Sequence, residues 1–342
     1  MKKLLIVAAC LGMQSAYATK ARMSALGQDA GRGSFYLEDN RNIWRSASHV
    51  NDLDRMLTVE HGTNYLEADG ETPQSATAEG GVFFNTLGHQ IGLYFNNDQY
   101  GNAHGAGGVI EPARVELFFG RASLMNLGVR LGYEKINYDL NGHESYGFDF
   151  GFGLEVSGVD LWLNYAPEIT TTTGGATTFD DPADMNIGAG YDYGDYKLFF
   201  EYASSEDYNT DTNSTVESTA ITAGVARVYQ KDQYTAFYDL RVESTEEGTT
   251  EGLHIPLTFG VETIATDWLT WRLSVRQSLY GKDEVGGRES SARTTSVGAG
   301  AALTFKELSI EGSLQGLVNT DAGDTRLGMN DLLSNVSVKY NF

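Results

Sequence analysis

Runs of apolar–polar alternation, each about nine to eleven residues long, recur along this chain and restrict it to strands that span something thick. In residues 268–280, Leu269, Trp271, Leu273, Val275 and Leu279 fall on one face, and Thr270, Arg272, Ser274, Arg276 and Ser278 on the other. Leu127, Val129, Leu131 and Tyr133 oppose Gly128, Arg130, Gly132 and Glu134. Tyr196, Leu198, Phe200 and Tyr202 make a third stripe, and Tyr234, Ala236, Tyr238, Leu240 and Val242 a fourth. Val297, Ala299, Ala301, Leu303 and Phe305 face away from Gly298, Gly300, Ala302 and Thr304. Strands of soluble sandwiches average about five or six residues. These runs have the length that crosses a bilayer at a tilt.

The connections between runs alternate in kind. Tight ones sit near 85–88, 120–124, 157–158, 193–195, 230–232, 265–267 and 305–307. Longer polar segments lie near 62–79, 97–111, 138–144, 168–183, 204–215, 243–252, 281–293 and 318–331. Seven short turns and eight long loops join 16 strands, with 55–61 first and 333–342 last; 14 is the alternative. The expected fold is an all-β, antiparallel, up-and-down transmembrane barrel with short periplasmic turns and longer extracellular loops. An even count puts both ends of the barrel on the periplasmic side.

Both termini fit that architecture. Lys2 and Lys3 precede an unbroken apolar run from Leu4 to Leu11, and Ala16-Tyr17-Ala18 is an A-x-A cleavage site, so residues 1–18 read as a secretory signal. The competing reading, acylation at Cys10, leaves a shorter apolar run before the cut. At the other end, Val336, Val338, Tyr340 and Phe342 share one face, against Ser337, Lys339 and Asn341. This resembles the C-terminal targeting strand of bacterial outer-membrane β-barrels, which ends on an aromatic residue. The resemblance implies recognition by the barrel insertion machinery and closure of the barrel by this strand.

Composition narrows the function. Cys10 is the sole cysteine, so after cleavage no disulfide, thiolate metal site or cysteine nucleophile is available. The formal net charge of −22 becomes −24 without Lys2 and Lys3, which argues against nucleic acid. The mean hydropathy of −0.30 excludes a helical membrane protein but not a barrel, whose lipid-facing and lumen-facing residues alternate and cancel. No cofactor is expected. The Thr/Gly-rich segment 170–178 and the acidic segments 207–215 and 243–251 read as solvated loops. Carboxylates in and beside them, Asp180, Asp181, Asp184, Asp207 and Asp211, lack the spacing of a calcium loop.

Residues 19–54 do not alternate and form a leader or plug ahead of a barrel at 55–342, with Ile43 and Trp44 as burial anchors. Two stretches within it, Ser24-Ala25-Leu26-Gly27 and residues 35–47, resemble two groups of barrels. One is the hydrophobic-compound transporters of the long-chain fatty-acid type, whose N-terminal segment plugs the lumen. There Asn-Pro-Ala stands where this chain has Arg45-Ser46-Ala47. The other is the porin-like outer-membrane proteins of predatory bacteria of the Bdellovibrio type. That resemblance implies a homotrimer that encloses lipid and is structural rather than conducting.

Period two turns Arg130, Glu134, Asp160, Lys197, Glu201, Asp239, Arg241, Arg272, Arg276, Glu311 and Lys339 inward, as candidate pore-lining residues. Mixed signs across a lumen give a transverse field over a water channel, or pair with one another across strands. An enzymatic barrel is the rival. His143-Glu144-Ser145-Tyr146-Gly147 faintly resembles the strand of outer-membrane phospholipase A, but it lacks a following arginine, and the pair points away from the aromatic face begun by Tyr146. The expectation is therefore a non-enzymatic, porin-like protein passing small hydrophilic solutes or ions. Its expected partners are outer-membrane lipids, lipopolysaccharide and copies of itself in a homotrimer. A lipid-enclosing structural barrel and a plugged transporter of hydrophobic compounds are the alternatives.

Overall fold

A computed structural model describes residues 19–62, 77–97, 113–138, 143–167, 169–173, 176–181, 183–209, 214–231, 233–291, 293–319 and 332–342. The signal at 1–18 lies outside them. The wall begins with β1 (Met56–Gly62), β2 (Thr77–Thr86), β3 (His89–Phe95) and β4 (Ala113–Ala122). It continues through β5 (Asn126–Tyr138), β6 (His143–Val156) and β7 (Val159–Ala166). A separate hairpin of β8 (Ile169–Thr173) and β9 (Ala176–Asp181) follows. Next come β10 (Asp184–Tyr193), β11 (Tyr196–Asn209), β12 (Ser214–Lys231), β13 (Tyr234–Glu247), β14 (Thr250–Thr266) and β15 (Leu269–Val285). The short β16 (Arg288–Ser291) extends the stave of β17 (Thr294–Phe305), and β18 (Leu308–Asn319) and β19 (Leu332–Asn341) complete the set.

Each stave pairs antiparallel with its sequence neighbour in the wall, and β1 pairs with both β2 and β19, so the sheet closes on itself with 16 staves. Closure leaves no edge strand, so the backbone groups along each stave find partners within the wall. The closing register sets Met56 opposite Asn341 and Val59 opposite Val338. Val336, Val338, Tyr340 and Phe342 of the terminal strand all face outward, while Ser337 and Lys339 are buried inside.

The outer surface is apolar. Phe148, Phe150, Leu161, Leu163, Leu198, Phe200, Leu273 and Val275 are among the large side chains that only lipid can cover. Aromatic pairs gather at the tight-turn end: Trp268 stacks with Phe305 at 6.4 Å, and Tyr229 meets Tyr234 at 5.8 Å. Such rings suit the membrane–water interface. Two of the tight turns place both central residues in the left-handed region, Leu87 and Gly88 (φ 52° and 77°) and Ser157 and Gly158 (φ 52° and 78°), the backbone that matches the twist of a two-residue hairpin.

Four connections differ from the expected solvated loops: 168–183 holds the separate β8–β9 hairpin, and three others lengthen the staves. Residues 204–215, 243–252 and 281–293 contain the ends of long hairpins, with β11 reaching Asn209, β13 joined to β14 through 248–249, and β15 to β16 through 286–287. These extensions rise beyond the lipid band, where water meets both faces. With no apolar face to bury, a strand there shows no alternation, and polarity alone reads as loop. A second difference is a bulge. Ile255 pairs with Tyr280 and Pro256 with Ser278, so Leu279 is an extra residue on β15. Pro256 has no N–H to donate, and the ladder slips by one beside it.

Candidate functional site: the lumen and its inner segment

Residues 19–53 lie inside the barrel. They form α1 (Lys20–Ala25) and two 3-10 turns, η1 (Asn40–Trp44) and η2 (Ala47–Asp52). Asp39 caps η1 by accepting from the Arg41 backbone N–H at 2.8 Å. Ile43 and Trp44 are each 1% exposed and pack with Val50, Leu53, Met56, Phe83, Tyr94 and Phe118. Met23, Leu26, Tyr36 and Leu37 make a second cluster with Phe199, Ala226 and Phe237. The wall supplies inward aromatics at both places. The lumen thus holds two apolar cores, which a lumen filled by water alone would not.

Glycines in the wall make room for this segment. A Cβ on Gly128 would come within 1.9 Å of the Ala47 carbonyl oxygen, and one on Gly153 within 2.3 Å of the Ser48 nitrogen. Across the barrel, a Cβ on Gly298 or Gly300 would lie 2.6 Å from an Ala25 atom. The inward glycine stripes are therefore seats for η2 and α1.

A belt of wall carboxylates holds the segment by polar contacts. Arg41 donates to Glu60 at 3.0 Å and to Glu79, and Lys20 pairs with Glu79 at 3.1 Å. Trp44 Nε1 donates to Glu116 at 2.8 Å. Ser46 Oγ donates to Asp160 at 2.9 Å. Glu201 accepts from Arg45 at 2.9 Å and from both terminal nitrogens of Arg32 at 3.1 and 2.9 Å. Tyr36 donates its hydroxyl to Asp239. Arg22 grips Glu262 in a fork of 2.8 and 3.1 Å, and Thr19 Oγ1 donates to Glu311 at 3.0 Å. His49 has Asp52 at 2.9 Å on one ring nitrogen and Asp160 at 3.2 Å on the other. Burial opposes its charge, but these two carboxylates outweigh burial and push its pKa up to about 10. For Asp39 burial wins over the neighbouring Arg22 and pushes its carboxyl up to about 6.

All eleven lumen candidates read from the sequence lie on the inward face. The structure divides them. Asp160, Glu201, Asp239 and Glu311 take donors from the inner segment. Arg130 pairs with Glu116 and Asp149, Glu134 with Arg114, and Arg272 with Glu262 and Glu311. Arg241 binds Asp239, Arg276 binds Glu243, and Lys197 lies 3.5 Å from Asp192. Lys339 is buried. Sequence reading missed Glu60, Glu116 and Glu262, which period two marks as inward beside Val59, Val115, Leu117 and Val261, and Glu79, which falls in the stretch 62–79 read as a loop and stands in β2. It also missed their partners Lys20, Arg22 and Arg41, which sit in a segment with no period to reveal them.

On the loop side of the inner segment is a vestibule of about 420 Å³. Gln28, Asp29, Phe35 and Arg45 lie at its floor, and its walls include Thr222, Arg241, Glu243, Arg276, Ser278 and Ser296. Phe35 offers it little apolar surface, because Phe199 stacks on that ring at 4.4 Å and the Arg45 guanidinium sits 3.6 Å from its centroid. The side chains of His143 and Ser145 lie outside the described residues.

No family model matches the chain, and no curated protein is significantly similar to it. Solved structures are. A bacterial polysaccharide outer membrane secretin superposes with a TM-score of 0.56 at 8% identity, covering 84% of this chain and 98% of that one. The CymD monoaromatic hydrocarbon channel (TM-score 0.48, 10% identity, 96% and 98% covered) and an anion-selective porin from Comamonas acidovorans (0.42, 10%, 84% and 97%) are also similar. At these identities the likeness is one of fold. With its closed wall, apolar outer band and interfacial aromatics, the protein is a closed β-barrel of the bacterial outer membrane.

Proposed function

We propose that the protein is a channel for small hydrophilic solutes or ions, and that residues 19–53 act as a seated plug that sets what passes. The observation that carries this reading is the charged vestibule, which leads from the loop side down to the inner segment. A route for hydrophobic compounds would need an apolar mouth. A lipid-enclosing homotrimer is supported by the resemblance of the inner segment to the predatory-bacterial proteins and not by its geometry. Lipopolysaccharide around the loops and recognition of β19 by the insertion machinery complete the proposed setting, and no catalytic role is assigned.

Swelling of liposomes carrying the purified protein tests the reading. Uptake of glycerol and single amino acids, with exclusion of trisaccharides, is the expected result. Exclusion of every solute by well-folded protein, or free entry of trisaccharides, would contradict it.

A further inference from the structure

The vestibule is balanced in sign and has bonding capacity left over. Three guanidinium groups line it, Arg45, Arg241 and Arg276, against three carboxylates, Asp29, Glu201 and Glu243. Most are already paired, yet two places are not saturated. The first is Arg45, 4% exposed, whose Nε is buried with no hydrogen-bond partner among the described residues. Burial lowers its pKa, and nearby Arg32 and Arg241 add to this against the pull of Glu201 and Asp29. Both bonds from Arg276 to Glu243 leave from Nη2, so its other N–H groups remain for a ligand. The second place is Asp29. Its Oδ1 closes a turn by accepting from the Gly31 and Arg32 N–H groups at 2.8 and 2.9 Å, while among the described residues Oδ2 has only Arg45 at 3.9 Å, and Asp29 lines the cavity.

The open N–H groups of Arg276, beside the guanidinium of Arg45, call for a carboxylate, and an open acid oxygen on the same floor calls for an ammonium. An anion alone would meet three carboxylates, and a cation alone three guanidiniums. We propose that this vestibule is a binding site for a small zwitterion of the α-amino-acid class. The ligand's carboxylate lies toward Arg45 and Arg276, its ammonium toward Asp29, and its side chain among the hydroxyls of Thr222, Ser278 and Ser296. The volume of about 420 Å³ falls within the usual range of small-molecule sites, about 300–1,000 Å³. The inference rests on the vestibule being the outer mouth of the channel.

Isothermal titration of the intact, detergent-solubilised protein with L-glutamine, with the same skeleton lacking its ammonium group, and with glucose tests it. Saturable binding of glutamine alone is expected. Asp29→Asn keeps the turn, since an amide oxygen accepts the same N–H groups, and Asp29→Asn and Arg276→Gln should each weaken binding by about tenfold or more. Equal binding of the des-amino analogue or of glucose, unchanged affinity in both variants, or no saturable binding would overturn the proposal. Glutamine bound but not admitted to liposomes would sink the channel and leave the site. Glutamine admitted without saturable binding would do the reverse.

Discussion

Glu79 accepts two cations from the inner segment at no exposure to water, Lys20 at 3.1 Å and Arg41. Buried pairs of this kind contribute little net stability, because desolvation offsets attraction; their force lies in what an unpaired member costs. Glu79→Gln should therefore lower the stability of the folded barrel by about 3–5 kcal/mol, measured as a fall in urea midpoint. Titration adds a second test. Asp39 and His49 both have folded pKa values above their ordinary ones, about 6 and about 10. A raised group stabilises fully below its ordinary pKa and loses that contribution as pH rises through the folded value. The contribution of Asp39 is lost between about pH 4 and 6, and that of His49 between about pH 6.5 and 10. Urea midpoints should fall across both windows, with Asp39→Asn flattening the first and His49→Gln the second. Midpoints that rise with pH in either window would contradict the assignment. At this scale the wall was readable and its partners were not. Glu311 and Asp239 declare their direction by parity, whereas Arg41 finds Glu60 and Glu79 only through a fold of the segment that the wall itself imposes.

The staves and the inner segment differ in how much of themselves they announce. Alternation exposed the staves wherever lipid covers one face, as in β15, where Trp271, Leu273 and Val275 are all outward. It failed at the tops of β13 and β14, where Glu243 to Glu251 have water on both sides, and just past Leu279, where the bulge beside Pro256 leaves Leu279 outward as read and turns Tyr280 outward after it. The inward glycines of β5 and β17 were visible in the alternation, and Gly153 of β6 was not, but their reason is the backbone of α1 and η2 lying against them. Gly128→Val should unseat η2, since its Cβ would strike the Ala47 carbonyl. The expected result is new protease cleavage within 19–53 while the barrel keeps its heat-modifiable migration on gels. Protection equal to that of the parent protein would refute the seat. Turns give a contrary, stabilising test. Leu87 is almost fully exposed and holds φ 52°, a conformation Asn adopts at lower cost. Leu87→Asn should raise stability by about 0.5–1 kcal/mol in the same urea assay.

As a whole, the molecule is an acidic tube corrected from within. Without residues 19–53 the belt of Glu60, Glu79, Glu116, Asp160, Glu201, Asp239, Glu262 and Glu311 would face the lumen short of the donors those residues bring. Such a tube would be wide and prefer cations. With the segment seated, its basic side chains neutralise much of the belt and its apolar clusters fill two parts of the bore. The most direct measurement is single-channel conductance in planar bilayers, comparing the intact protein with a variant lacking residues 19–53 that folds by gel migration. Small steps from the intact protein, and steps several-fold larger with cation preference from the variant, are the predicted result. Equal conductance and equal ion preference in the two would show that the inner segment does not govern passage, and would contradict the account.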